Sequence, residues 1–200
     1  VSPKVTYIET ESELQTLEVG AEASTLGLGF NIKANLNEKL SFKGSYNSYD
    51  YSTTATQAGI EYDVDLGLNS MGLALEYKPI ASSGMYITAG VRQNNNKATL
   101  AANPVDDITV GNTTYTSNEL AELSGSVTFN KYAPTIGIGY NKEVLPGLSV
   151  DASLGAMYQG AASVAFTATG LLADDPNLQA ELENERADLE DALSKFNLYP

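Results

Sequence analysis

The chain has 200 residues, 25 Asp and Glu against 11 Lys and Arg, and no His, Cys or Trp. That removes zinc sites of the usual kind, disulfides, thiol nucleophiles and Ser-His-Asp chemistry. A net charge of -14 removes nucleic acid as a partner, because that needs a basic surface. Only 18% of residues are charged while 42% are hydrophobic, so one domain is expected, with its few charges concentrated in places.

Val1-Ser2-Pro3-Lys4 carries no signal peptide, and no run of 18 apolar residues appears, so a membrane-spanning helix is not expected. The chain reads as either a cytosolic protein or a mature exported one whose signal has been removed.

Along the chain the dominant pattern is alternation with period two. Val5 and Tyr7 suggest a first strand over 3–9. A second runs over 20–35, with Leu26, Leu28, Phe30, Ile32 and Ala34 on one face and Gly27, Gly29, Asn31 and Lys33 on the other. After Asn37-Glu38, a third spans 39–52, with Leu40, Phe42 and Tyr46 opposed to Ser41, Lys43 and Asn47. The fourth, 60–78, changes phase at Asn69-Ser70, which reads as a β-bulge. Strands over 85–100, 125–142 and 148–168 follow, and Phe196 opens an eighth that the sequence cuts short.

Two long connections carry local signals. In 101–125, Ile108-Thr109-Val110 and Thr113-Thr114-Tyr115 flank Gly111-Asn112, the pattern of a small hairpin. In 170–195, Asp175 suits an N-cap, Pro176 the first helical position, and Leu178, Leu182, Leu189 and Leu193 form a stripe near helical spacing. Residues 171–195 hold eight acids and two bases, a net of -6. The stripe reads as packing, over the mouth or against a neighbouring chain.

The second strand face is Gly, Ser, Asn and Thr rather than Lys and Glu, which suggests tight packing inside a narrow barrel. Short turns near 37–38, 79–84 and 143–147 alternate with long segments at 9–19, 52–59, 101–125 and 170–195. Tyr46, Tyr77, Tyr132, Tyr140 and Tyr158 lie near strand ends. Together these predict an all-β, eight-stranded, antiparallel, up-and-down transmembrane β-barrel as a single domain. Eight strands leave room for little more than side chains inside.

Five charged residues fall on the polar face: Lys33, Lys43, Glu76, Arg92 and Asp151. They are candidates for a constriction that selects a solute, or for an ion-pair network that fills the interior. Asp63, Asp65, Asp106, Asp107, Glu181 and Glu185 fall toward the long loops and would form an acidic extracellular mouth. Asp63-Val64-Asp65 lacks calcium-loop spacing. No metal, cofactor or catalytic set is expected, and the chain does not read as an enzyme. Gly27-x-Gly29 and Gly137-x-Gly139 sit mid-strand and are not phosphate loops.

Tyr132-Ala133-Pro134-Thr135-Ile136-Gly137-Ile138-Gly139-Tyr140, with Leu148 through Gly160, resembles strands of the small carbapenem-associated, ornithine-uptake-type outer-membrane barrels. Glu76-Tyr77-Lys78-Pro79, the acidic loop and Phe196–Pro200 are similar to that family too. The resemblance implies a location in the bacterial outer membrane and passive, porin-like uptake of small solutes, cationic or amino-acid-like ones among them. Outer-membrane lipid and lipopolysaccharide are the expected partners, the latter bridged to the acidic loops by divalent cations, and the loops are candidates for homo-oligomer contacts. Two other readings compete. One is a plugged structural barrel that presents its long loops to partners or neighbouring chains. The other is a soluble lipocalin-like binding barrel, with the apolar face inward.

Overall fold

The computed structural model describes residues 16–57, 60–104, 107–110, 113–116, 119 and 122–200. The expected strand at 3–9, the acid Asp106 and the Gly111-Asn112 turn lie outside the described residues.

One antiparallel sheet dominates. Its path runs β1 (Thr16–Ser24), β2 (Gly27–Asn35), β3 (Leu40–Gln57), β4 (Ile60–Tyr77), β5 (Met85–Asn94), β10 (Tyr132–Leu145), β11 (Leu148–Tyr158) and β13 (Leu198–Tyr199). A second arm leaves β4 through β6 (Lys97–Pro104), β9 (Glu122–Thr128) and β12 (Ser163–Thr169). β7 (Ile108–Val110) and β8 (Thr113–Tyr115) pair as a separate hairpin, and α1 (Pro176–Leu193) precedes the last strand.

The predicted strand over 20–35 is two strands. β1 and β2 form a hairpin, with Ser24 opposite Gly27. The outward apolar residues are odd-numbered in β1 (Leu17, Val19) and even-numbered in β2 (Leu28, Phe30, Ile32). Gly27 carries the turn with φ 106°, a conformation that L side chains rarely adopt. Gly84 and Gly147, at φ 73° and 78°, close two further short turns the same way.

The predicted bulge at Asn69-Ser70 is absent. β3 and β4 pair without a break from Leu40 opposite Tyr77 to Gln57 opposite Ile60. What changes there is the environment of each face. From Ser70 to Glu76 the inward residues are Ser70, Gly72, Ala74 and Glu76, while Met71, Leu73, Leu75 and Tyr77 are exposed outside. Before Ser70 the inward residues are Leu66 and the buried Leu68, and the outward ones are Asp63, Asp65 and Gly67. The molecule therefore has a lower half with polar residues inside and an upper half with apolar residues inside.

The upper half has an ordinary core. Ala168, Leu123 and Ala102 stand in register across β12, β9 and β6. Leu178 and Leu182 of α1 pack on them, with Phe166 and Leu172 alongside. The Asp175 carboxylate accepts from the backbone N–H groups of Asn177 and Leu178, satisfying two donors that the helix itself cannot. Leu189 is exposed and Leu193 half-buried, so the leucine stripe is fully buried only in its first half.

The expected closed eight-stranded transmembrane barrel is corrected here. Among the described residues the sheet is open, because β1 pairs only β2 and β13 pairs only β11. Among the described residues the ends of the two edges are joined by side-chain donors to backbone carbonyls. Thr25 Oγ1 donates to the Pro200 carbonyl at 2.7 Å, and the Tyr199 hydroxyl donates to the Thr25 carbonyl at 2.7 Å. β13 is two residues long, and residues 148–155 of β11 are exposed on both faces. An unpaired strand edge in hydrocarbon strands its N–H and C=O groups, so transmembrane β-strands are not the description of this sheet. No described helix is long and apolar enough to cross a membrane.

Candidate functional site

The lower half inverts the usual distribution. Lys33, Glu76, Ser41, Asn47 and Ser70 are buried, while Val19, Leu28, Ile136 and Leu154 are 74%, 66%, 65% and 73% exposed. Strand alternation produces this directly, since every second residue points to the opposite face. Curling of the sheet does the rest: the strand order places four strands between β2 and β11, yet Lys33 and Asp151 come within 3.9 Å.

Lys33 and Lys43 stand directly opposite each other on β2 and β3. Like charges at such a position repel, and each lysine turns to its own acid. Lys33 Nζ lies 2.9 Å from Glu76 Oε2, and both side chains are almost fully buried. The pair is one of charge rather than of hydrogen-bond geometry, because Glu76 Oε2 makes no hydrogen bond. Lys43 Nζ lies 3.2 Å from Glu22 Oε2, which also accepts from Asn31 Nδ2 at 2.8 Å. The Tyr86 hydroxyl donates to Asp151 Oδ1 at 2.7 Å, and Lys33 Nζ sits 5.5 Å from the Tyr86 ring centroid. Gly139 opposite Tyr86 leaves space for that ring; a Cβ there would collide with it.

All five polar-face candidates are thus on the inward face, but they form three groups. Lys33, Glu76 and Asp151 make one. Lys43 pairs with Glu22 of β1. Arg92 stands apart, bonded to Ser45, Asn47 and Ser70. Tyr86, Ser45 and Asn47 were missed, although strand parity places Tyr86 with Arg92, and Ser45 and Asn47 with Lys43. Ser70 could be placed only once the unbroken β3–β4 register was known.

The acidic candidates scatter. Asp63 and Asp65 lie on the outer face of β4, accepting from Thr54 Oγ1 at 2.9 Å and from the Ser52 hydroxyl. Asp107 is exposed. Glu181 accepts from Thr113 Oγ1 at 2.8 Å, tying α1 to the β7–β8 hairpin, and Glu185 is exposed on α1. Among the described residues no group of acids could hold a metal ion. On α1, Arg186 bonds Glu183 and Glu190, which raises its pKa further above the ordinary guanidinium range. The Val164 backbone N–H and then Arg186 hold the Glu190 carboxyl below its ordinary range. Thr116 does the same for Glu119.

A shallow apolar groove of about 330 Å³ opens on the outer face, lined by Met85, Ile138, Tyr140, Ala152 and Leu154.

CarO2 of Acinetobacter baumannii matches over 92% of this chain and 93% of its own, with a TM-score of 0.60 and 22% identity. This chain has the CarO fold. CarO of the same organism matches over 91% and 92%, with a TM-score of 0.58 and 23% identity. No family model matches the sequence, and no curated protein does. The resemblance read on residues 132–160 is therefore borne out at the level of the fold. The porin-like uptake expected from it is corrected, because a solute path needs a closed wall and this sheet is open. The plugged-barrel reading falls for the same reason.

Proposed function

We propose that the protein is a non-catalytic, lipid-associated protein of the bacterial outer membrane that fixes an acidic head at the membrane surface. The observation that carries this is the inverted lower half. Val19, Leu28, Ile136, Leu154 and their neighbours form a contiguous exposed apolar belt, far beyond the few hundred Å² that soluble proteins leave open. Water would penalise that belt by about 25 cal/mol for each Å² of apolar surface. Acyl chains remove the penalty, and the groove beside Ile138 and Leu154 suits one chain. The polar interior then fills the space behind the belt with ion pairs and gives it a fixed shape. The CarO fold supports the outer membrane as the location.

The head supplies the second partner. Its helix segment carries a net of -6, which suits divalent-cation bridges to the phosphates of lipopolysaccharide. Flotation of the full chain with phospholipid vesicles, with and without lipopolysaccharide, tests both statements. The chain should float with either vesicle and resist a high-salt wash. EDTA should weaken its retention on the lipopolysaccharide vesicles alone. A chain that stays in the dense fraction without detergent overturns the reading. Equal retention with and without EDTA overturns the cation bridge only.

A further inference from the structure

One stretch of the apolar belt is hollow and carries a charge at its end. The outer groove lies over three neighbouring strands, with Met85 of β5, Ile138 and Tyr140 of β10, and Ala152 and Leu154 of β11 in its lining. These residues stand in register: Met85 faces Tyr140, Tyr140 faces Ala152, and Ile138 faces Leu154. All five are exposed.

The end of the groove nearest the short turns is polar. Strand alternation makes Lys142 the next outward residue of β10 after Tyr140, about 6.6 Å further along the strand. It is exposed and faces Val150 of β11. The Tyr140 ring leans toward the same end. It lies over Gly84, where a Cβ would stand 3.0 Å from Cε2, and Gly84 is one residue nearer the turn than Met85 opposite. Tyrosine suits such a border, with an apolar body and a wet tip.

Neither polar tip is engaged. Among the described residues the Lys142 ammonium has no ion pair, and neither it nor the Tyr140 hydroxyl has a hydrogen bond. Glu143, the adjacent acid, has the opposite strand parity, and its Oε1 accepts from the Gly147 N–H at 2.9 Å. The groove therefore ends on one unpaired positive charge and one free hydroxyl. The other end of β11 is different. There β13 joins beside Met157 and Tyr158, directly after the helix segment with its net of -6. An anionic head is repelled from that end and drawn to the Lys142 end.

We propose that this groove holds one acyl chain of an anionic phospholipid of the surrounding bilayer, with the head phosphate on Lys142 and the Tyr140 hydroxyl. The inference rests on the belt meeting lipid, and adds to it one fixed lipid of a single charge class. A zwitterionic head brings its own ammonium, which competes with Lys142 for the phosphate. The charge-assisted bond to an anionic head has no such competitor.

Photolabelling tests the site. The full chain is floated with phosphatidylcholine vesicles that carry a little phospholipid with a diazirine in its acyl chain. The probe's head is either phosphatidylglycerol or phosphatidylcholine, and the labelled residues are read by mass spectrometry. The anionic probe should label residues 136–154 about fivefold more than the zwitterionic one, the effect of one lysine near an anionic head. Lys142→Gln should erase that preference. Lys131→Gln removes an exposed lysine just before the other end of β10 and should keep it. Ala152→Trp fills the groove, leaves Lys142 in place and should lower labelling by both probes. All three variants should float as wild type does, because the rest of the belt is intact. Flotation with equal labelling by the two probes, or a preference unchanged in Lys142→Gln, overturns the site and leaves the lipid-facing belt standing. Loss of the preference to added inorganic phosphate at constant ionic strength would assign the charge to a free anion and also overturns it. A wild-type chain that does not float overturns belt and site together.

Discussion

The β3–β4 ribbon runs through both halves of this molecule, with opposite results. In β4, Glu76 and Ser70 point to the same side as Leu68 and Leu66, yet the first pair belongs to a polar interior and the second to an apolar one. The backbone is indifferent to the exchange, as the unbroken ladder shows. Solvent decides it. The upper half buries Leu178 and Leu182 because water surrounds it. The lower half exposes Leu154 and Ile136 and buries its charges, the distribution that an apolar surrounding would favour.

The contrast is open to attack, starting with the polar interior. Lys33→Met leaves Glu76 charged and buried without its partner. It should cost about 3–5 kcal/mol in urea unfolding in micelles, and Lys33→Met with Glu76→Leu should recover most of the loss. A single variant within 1 kcal/mol of wild type would show that the lower interior is not held by charge. In the upper half, Leu178→Ala should cost about 2–5 kcal/mol, whereas Leu154→Ala on the belt should shift micelle stability by less than about 1 kcal/mol. Equal costs would erase the distinction between the halves. Asp175→Ala removes the cap of α1 and should cost about 1 kcal/mol, read as faster amide exchange at Asn177 and Leu178.

The smallest effect is one of pH and belongs to the head. The folded-state pKa of Glu190 is depressed, first by the Val164 N–H. Its contribution is therefore fully present above the ordinary carboxylate range, and is lost as pH falls through the depressed folded value. Amide exchange at Val164 should quicken on acidification before the lower half responds. A Val164 amide that stays protected while the lower half opens would reverse that order.

Alternation made the lower strands legible, since Met85 to Asn94 and Tyr132 to Tyr140 each carry one polarity per face. The β1–β2 turn was not, because Thr25-Leu26 offers no strong turn residue before Gly27. The only trace was the apolar parity passing from odd at Val19 to even at Leu28. The phase change at Asn69-Ser70 was visible but has two physical causes, a shifted backbone or a shifted environment. Sequence periodicity cannot separate them without the partner strand. Closure was the least legible, because it rests on pairing between edges far apart in the chain. The charged site was half legible: parity put Lys33, Lys43, Glu76, Arg92 and Asp151 on one face. Which acid each base meets depends on strand pairing and on the curl of the sheet, so the Lys43–Glu22 pair could not be read.

The β3–β4 ribbon runs from Leu40 opposite Tyr77 to Gln57 opposite Ile60 without an irregularity, straight through the level at which the interior changes from polar to apolar. A ribbon so paired is a strut rather than a joint. The acidic head cannot swivel on the belt at that place. A load on the head bends the strut and reaches the belt as tilt, so head and belt turn as one body.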